Sequence, residues 1–361
     1  MFVKSLKLKN FRNYDLLDLE FDSETNIFYG DNAQGKTNIL ESIYLTGTTK
    51  SHRGTKDRDL IRFGEEEAHI ETVVEKNGVP FKIDIHLKKN SPKGIAINKI
   101  PIRKASELFG IINIVFFSPE DLNIIKNGPA ERRRFIDLEL AQLDKVYLSD
   151  LSNYNRIVNQ RNKLLKDIYE RNDLLETLDI WDLQLVQYGK KVIERRKIFI
   201  EQMNDIIGKV HEKLTGGKEN LKLVYEPGTG IYDLETALFK NRERDIRMKS
   251  TSVGPHRDDI CFIANEIDIR KFGSQGQQRT AALSLKLSEI ELVKKVINDT
   301  PILLLDDVLS ELDKHRQNYL LDSIRDVQTL ITCTGLDDFV NHRFSINKIL
   351  HVEQGHVVRE N

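Results

Sequence analysis

Leu6 and Leu8 alternate with Lys7 and Lys9, and Leu17, Leu19 and Phe21 with Asp18, Glu20 and Asp22. Further on, Phe81, Ile83, Ile85 and Leu87 alternate with Lys82, Asp84, His86 and Lys88. A period of two places one set of side chains on a buried face, so these segments are predicted strands. Asn77-Gly78 lies between the segments around Val73 and Phe81, and that pair suits the positive φ values of a tight hairpin. Residues 1–117 therefore read as an antiparallel sheet with a helix from about Lys36 to Leu45.

The pattern changes at Ser118-Pro119. Leu148, Leu151, Tyr154, Ile157, Val158, Arg161, Leu164, Leu165 and Ile168 recur at helical spacing. Leu185, Tyr188, Val192, Phe199, Met203, Ile206, Val210 and Leu214 form a second such series. These predict two one-sided helices, folded back as a hairpin by a break near Asn172-Asp173 and ended by Gly216-Gly217. From about Ser252 the alternating style returns, followed by a long helix from about Gln277 to Ile297. Ile302-Leu303-Leu304-Leu305 then fits a strand buried on both faces of a sheet. The expected division is 1–117, an inserted helical lobe at 118–251, and 252–361.

At 361 residues the chain is long enough for roughly two domains at about 150 residues each. Lys+Arg 55 against Asp+Glu 56 excludes a uniformly basic coat, so any nucleic-acid contact must come from local patches. No apolar run approaches the length of about 18 residues that a membrane helix needs, and the charged, alternating N-terminus does not suit a secretory signal. Two cysteines, Cys261 and Cys333, allow neither a disulfide framework nor a cysteine zinc site, and read as thiols of a reducing cytoplasm.

The segment Gly30-Asp31-Asn32-Ala33-Gln34-Gly35-Lys36-Thr37 matches the phosphate-loop pattern in full. It follows the apolar run Asn26-Ile27-Phe28-Tyr29 and opens a helix, the context in which backbone N–H groups and the helix dipole cradle a phosphate. Lys36 would reach the outer phosphates and Thr37 would place its hydroxyl on Mg²⁺. The buried strand ends in Asp306-Asp307, with Asp306 suited to Mg²⁺, directly or through water, and Asp307 to orienting an attacking water. Ser274-Gln275-Gly276-Gln277 precedes the long helix and makes a second phosphate-binding surface. One nucleotide per chain needs only one such surface, so the economical arrangement is a head-to-tail dimer in which Ser274 of one copy caps the triphosphate held by Lys36 of the other. Downstream, Ser310 is the expected N-cap of the next helix.

Together these segments resemble an ATP-binding-cassette ATPase of the branch that holds DNA, and most closely the bacterial RecF family of recombinational repair. The likeness is carried by Leu8-Lys9-Asn10-Phe11-Arg12-Asn13-Tyr14, Gly30 to Thr37, Ser51-His52-Arg53 and Phe117-Ser118-Pro119-Glu120-Asp121-Leu122. It continues through Gly128-Pro129 with Arg132-Arg133-Arg134, Gly254-Pro255-His256-Arg257-Asp258-Asp259, Ser274 to Arg279, and Asp306 to Asp313. The resemblance implies an α/β fold: an ATPase head with a mixed sheet, built from both chain ends, and an inserted α-helical lobe. It implies ATP and Mg²⁺ as ligands, ATP-dependent dimerisation, slow hydrolysis, and binding to gapped DNA or single-strand/double-strand junctions. RecR, RecO and RecA would be the functional partners. Relative to the wider cassette pattern, Asp307 replaces a glutamate, Ser118 a metal-sensing glutamine, and Thr332 or Thr334 a switch histidine.

Arg12 and Asn13 are candidates for approach to the nucleotide. Candidate DNA contacts are Arg132, Arg133, Arg134, Lys190, Lys191, Arg195 and Arg196, with Lys191 and Arg195 four apart on one helix face. A further basic cluster runs from Lys240 to Lys249. No aromatic ladder accompanies them, which points to backbone contacts rather than base reading. His256-Arg257-Asp258-Asp259 suits a structural or ATP-gated contact better than a metal site. Two rival functions remain at this stage: the nucleotide subunit of a membrane transporter, which would co-purify with membranes, and a chromosome-structuring clamp, which single-turnover hydrolysis with gapped DNA would separate.

Overall fold

The computed structural model describes residues 1–168, 172–230, 233–336 and 346–360. The chain forms two compact units, one of Met1–Asp121 with Leu285–Asn361 and the other of Leu122–Ser284.

The first unit carries two sheets. One is antiparallel and contains strands Phe2–Phe11, Tyr14–Glu20, Glu67–Lys76, Val79–Lys88, Ser91–Ile97 and Ile100–Pro101, with the first strand seated between the second and third. Leu6, Leu8, Ile83, Ile85 and Leu87 are buried and Lys7 and Lys9 exposed, as the period-two pattern requires. Asn77 (φ 52°) and Gly78 (φ 76°) make the predicted hairpin turn between Glu67–Lys76 and Val79–Lys88.

The other sheet has a parallel core. Its order is His356–Glu360, Lys348–Glu353, Thr25–Tyr29, Thr329–Cys333, Ile302–Asp306 and Ile114–Phe117, with only the first pair antiparallel. Ile302–Asp306 lies between two parallel neighbours and is buried along its whole length, which explains its unbroken apolar run. The helix Lys36–Thr48 packs against this sheet. Thr25–Tyr29 and Ile114–Phe117 therefore leave the antiparallel sheet expected for residues 1–117 and join the parallel one.

The second unit holds the helices Pro129–Leu143, Lys145–Ile168 and Leu178–Thr215. The last two form the predicted hairpin, broken at the short helical turn Asn172–Thr177. Gly216 ends the longer one in the left-handed conformation (φ 63°). A three-stranded sheet orders Ile267–Asp268, Asp259–Ala264 and Leu221–Glu226. This pairing corrects the expected boundary at 251/252: residues 252–284 belong with the helical unit, because Asp259–Ala264 hydrogen-bonds along the full length of Leu221–Glu226. The long helix spans Gln275–Ile297. The expected cap at Ser310 is also corrected. Asp313 caps the helix Lys314–Ser323, accepting from the Arg316 N–H at 3.0 Å, while Ser310 Oγ donates to the Asp307 carbonyl inside a preceding short turn.

Candidate functional site

The phosphate loop connects strand Thr25–Tyr29 to helix Lys36–Thr48. Gly30 (φ 145°) and Gly35 (φ 115°) adopt backbone conformations that side chains disfavour. A Cβ on Gly30 would collide with the Val352 carbonyl, and one on Gly35 with the Asn13 amide. The loop is clamped from both sides. Asn13 Nδ2 donates to Gln34 O at 2.9 Å and the Tyr14 hydroxyl to Gly35 O at 3.1 Å, while the Gly355 N–H and the Gln354 N–H reach Gln34 O and Gln34 Oε1. Buried Lys36 curls over the loop, its Nζ donating to Gly30 O at 2.6 Å and Asp31 O at 2.9 Å. The ammonium is thus held by two backbone carbonyls inside the glycine-rich turn, the place expected of a phosphate-loop lysine.

Asp306 faces the start of the same helix. Its Oδ1 accepts from Thr37 Oγ1 and from Thr332 Oγ1, each at 2.8 Å. Burial raises the Asp306 carboxyl above its usual range, opposed by these two hydrogen bonds and reinforced by the adjacent Asp307. Asp307 has φ 52°, unusual outside glycine, and its N–H donates to Thr332 Oγ1 at 3.0 Å. Thr332 thus serves both acids at once. A hydroxyl and a carboxylate on the floor of a glycine-rich loop are the hard oxygen donors that Mg²⁺ accepts, so Thr37 and Asp306 fit the expected metal.

Arg12 and Asn13 lie beside this loop, at the rim of an open groove of 940 Å³ that Asn38, Arg53, Arg58 and Arg62 also line. Arg12 sits in the left-handed region (φ 55°), and its guanidinium grips buried Glu41 through two 2.8 Å bonds while also reaching Thr55 Oγ1 and Asp59 O. Burial alone would raise the Glu41 carboxyl, but bonds from Arg12 and Ser51 hold it below its ordinary range. Glu41 lies on the phosphate-loop helix, and no motif in the sequence singles it out as the partner of Arg12.

In the second unit, Ser274 Oγ accepts from the Gln277 N–H at 3.2 Å and Gln277 Oε1 accepts from the Ser274 N–H at 2.9 Å. This reciprocal cap opens the helix Gln275–Ile297.

The family model described as RecF/RecN/SMC N terminal domain matches residues 2–357. Over 357 residues, 99% of each chain, the sequence is 65% identical to the DNA replication and repair protein RecF of Agathobacter rectalis. The chain belongs to the RecF family. A solved structure of the recombination mediator protein RecF with ATP, from the RecFOR pathway, matches with a TM-score of 0.94 at 35% identity, covering 100% of this chain and 98% of that one. The Smc head domain of Pyrococcus furiosus shares the fold, with a TM-score of 0.58 at 16% identity over 100% of this chain and 96% of the other. The expected fold class, an α/β ATPase head with a helical insert, is therefore that of the RecF and SMC head structures.

This RecF-family chain corrects two expected DNA contacts. Arg132 and Arg196 are 3% and 2% exposed and serve the interior of the second unit. Arg132 makes a forked pair with Asp259 (2.6 and 3.0 Å) and also donates to Asn127 O. Arg196 joins Asp137 at 2.7 Å, Pro255 O at 2.6 Å and Asp258 at 3.3 Å. Arg133 is half-buried and donates to Asp258 O at 2.7 Å. The Gly254–Asp259 segment is thus the acidic and backbone counterpart of these arginines. His256 completes it, its Nδ1 2.7 Å from the Tyr154 hydroxyl and its Nε2 3.0 Å from Thr251 O. Gly254 (φ 124°) leaves room for Tyr154, whose hydroxyl a Cβ would strike. Arg134, Lys191 and Arg195 keep exposed side chains and Lys190 is half-buried; Lys191 lies 3.6 Å from Asp150, and Arg195 3.2 Å from Asp144.

Proposed function

We propose that this RecF-family chain is an ATP-dependent DNA-binding protein of recombinational repair, whose nucleotide joins two copies head to tail. Gly30 to Thr37 would wrap the phosphates, with Lys36 on the outer ones, and Thr37 and Asp306 would hold Mg²⁺. The metal would supply charge compensation for the phosphate oxygens. Asp307 would orient the attacking water, its backbone held by Thr332 and its carboxylate free of the metal-holding role of Asp306. Ser274 to Gln277 of a second copy would cap the triphosphate, so that ATP contacts both copies only in the closed state and binding itself drives closure. Arg134, Lys190, Lys191 and Arg195 would meet DNA phosphates at gaps or junctions, in the cytoplasm, with RecR, RecO and RecA as partners. Slow hydrolysis would release the dimer.

The single observation that carries this reading is the 2.8 Å bond between Thr37 and Asp306, which brings the phosphate loop and the acid pair to one point. Sedimentation with ATP, with ADP, and with ATP plus gapped DNA tests it. Dimers are expected with ATP and more so with DNA, and none with Lys36→Ala. A wild-type chain whose association ignores the triphosphate overturns the reading.

A further inference from the structure

Among the buried titratable groups of the second unit, His211 has no part in the scheme above. It lies fully buried near the C-terminal end of the arm helix Leu178–Thr215. Its Nδ1 is 2.8 Å from Ser284 Oγ, on the helix Gln275–Ile297, and its Nε2 is 3.2 Å from Glu219 Oε2. A carboxylate oxygen only accepts, so Nε2 carries the proton of that bond. The other oxygen of the same carboxylate, Glu219 Oε1, accepts from Gln277 Nε2 at 2.9 Å. Gln277 in turn uses its Oε1 and its backbone N–H to hold Ser274. A continuous chain of hydrogen bonds therefore runs from His211 through Glu219 and Gln277 to Ser274.

The arrangement is directional. Gln277 has one amide group, with one oxygen and one nitrogen. The oxygen closes the cap on Ser274, and the nitrogen is committed to Glu219. Glu219 follows the arm helix and precedes strand Leu221–Glu226, and its two oxygens divide between the arm and the Ser274–Gln277 turn. Moving the end of the arm relative to the helix Gln275–Ile297 would pull Glu219 away from one of its two partners. The same arm helix carries Lys190, Lys191 and Arg195, about 24 Å from His211 at 1.5 Å rise per residue when counted from Arg195.

We infer that His211 and Glu219 are positioning residues that couple the arm helix to the Ser274–Gln277 turn, so that what binds the basic side chains of the arm tunes how that turn meets the triphosphate of a second copy. The inference rests on the dimer reading above. Linkage makes the effect reciprocal: DNA that favours the gripping geometry tightens ATP-driven association, and ATP tightens DNA binding by the same factor.

The test compares wild type, Glu219→Ala and Glu219→Gln. Three quantities are measured: nucleotide affinity of the monomer at dilution, duplex-DNA affinity without nucleotide, and the ATP-driven dimerisation constant with and without gapped DNA. For Glu219→Ala the first two are expected to stay within twofold of wild type. Dimerisation should weaken about tenfold and lose its enhancement by DNA. Glu219→Gln keeps the chain length and one acceptor oxygen, and is expected to recover at least half of the lost enhancement. If Glu219→Ala does not fold, Glu219→Asp, which withdraws the carboxylate by one methylene, is expected to show the same uncoupling. A wild type that never dimerises with ATP sinks the dimer reading itself. A wild type that dimerises normally beside an alanine or aspartate variant with full DNA enhancement sinks only the coupling.

Discussion

Thr37 Oγ1 donates to Asp306 Oδ1 across 2.8 Å, although 269 residues separate the two in the chain. That bond exists because strand Ile302–Asp306 runs parallel to Thr329–Cys333, which itself pairs in parallel with Thr25–Tyr29, so the C-terminal ends of all three strands meet at the phosphate loop. Ligands of open α/β sheets gather at this end. Thr332, at the end of the middle strand, adds a second 2.8 Å bond to the same oxygen and receives the Asp307 N–H.

Thr332→Val removes that shared hydroxyl while keeping the side chain's shape. The Asp307 N–H loses one acceptor, and the carboxylate of Asp306 loses one donor. The expected cost is about 1–2 kcal/mol of stability in urea unfolding. Nucleotide affinity should change little, while the hydrolysis rate falls, because Asp307 is held by its backbone and not by the phosphate loop. An unchanged single-turnover rate would show that Thr332 does not position Asp307.

Asp307→Asn keeps the volume and the backbone position but removes the base. Nucleotide binding is expected to persist, turnover to fall by at least tenfold, and the ATP-bound dimer to accumulate in sedimentation. Normal turnover by this variant would remove Asp307 from the chemistry.

What the sequence made legible was local. Asn77-Gly78, the spacing of Gly30, Gly35, Lys36 and Thr37, and the apolar run before Asp306 each declare a conformation within a few residues. What it hid was long-range. Arg132 and Arg196 look like any solvent-facing basic residues until Asp259 and Asp258 arrive from 127 and 62 positions away. A run of arginines has the same composition whether water or a buried carboxylate receives it. The boundary near residue 251 failed for a related reason, since pairing of Leu221–Glu226 with Asp259–Ala264 is a register between distant segments. Ser310 and Asp313 are both good capping residues, and only the short turn Leu309–Glu311 decides between them.

His256 is expected to make the second unit acid-sensitive. Nε2 faces the Thr251 carbonyl and therefore carries the ring proton, leaving Nδ1 to accept from the Tyr154 hydroxyl. Burial pushes its pKa from 6.5 down to about 4; the Thr251 carbonyl opposes the shift, and the positive charges of Arg257 and Arg133 add to it. A folded-state value below the unfolded one means that the unfolded chain takes up the extra proton first. The stability contribution is full above about pH 6.5 and declines as pH falls towards 4, by on the order of 2–3 kcal/mol. His256→Gln should flatten that decline when urea midpoints are compared at pH 7 and pH 4.5. Equal pH slopes in the two proteins would assign the acid sensitivity elsewhere.

The basic side chains of the second unit divide into two populations with opposite signatures. Arg196→Gln leaves the carboxylates of Asp137 and Asp258 without their shared cation in a buried setting, a loss of about 3–5 kcal/mol. Its DNA affinity, measured on whatever fraction stays folded, should follow wild type at every salt concentration. Lys191→Gln acts the other way. The side chain is half exposed and its nearest acid, Asp150, is 3.6 Å away, so stability should move by less than about 0.5 kcal/mol. If Lys191 meets a duplex phosphate, the slope of log affinity against log salt should shrink by about 0.9. Titration of gapped DNA between low and moderate salt reads both effects at once: an unchanged slope for Lys191→Gln would move the DNA interface off this face of the arm, and a reduced slope for Arg196→Gln would mean that its buried network holds the exposed face in shape.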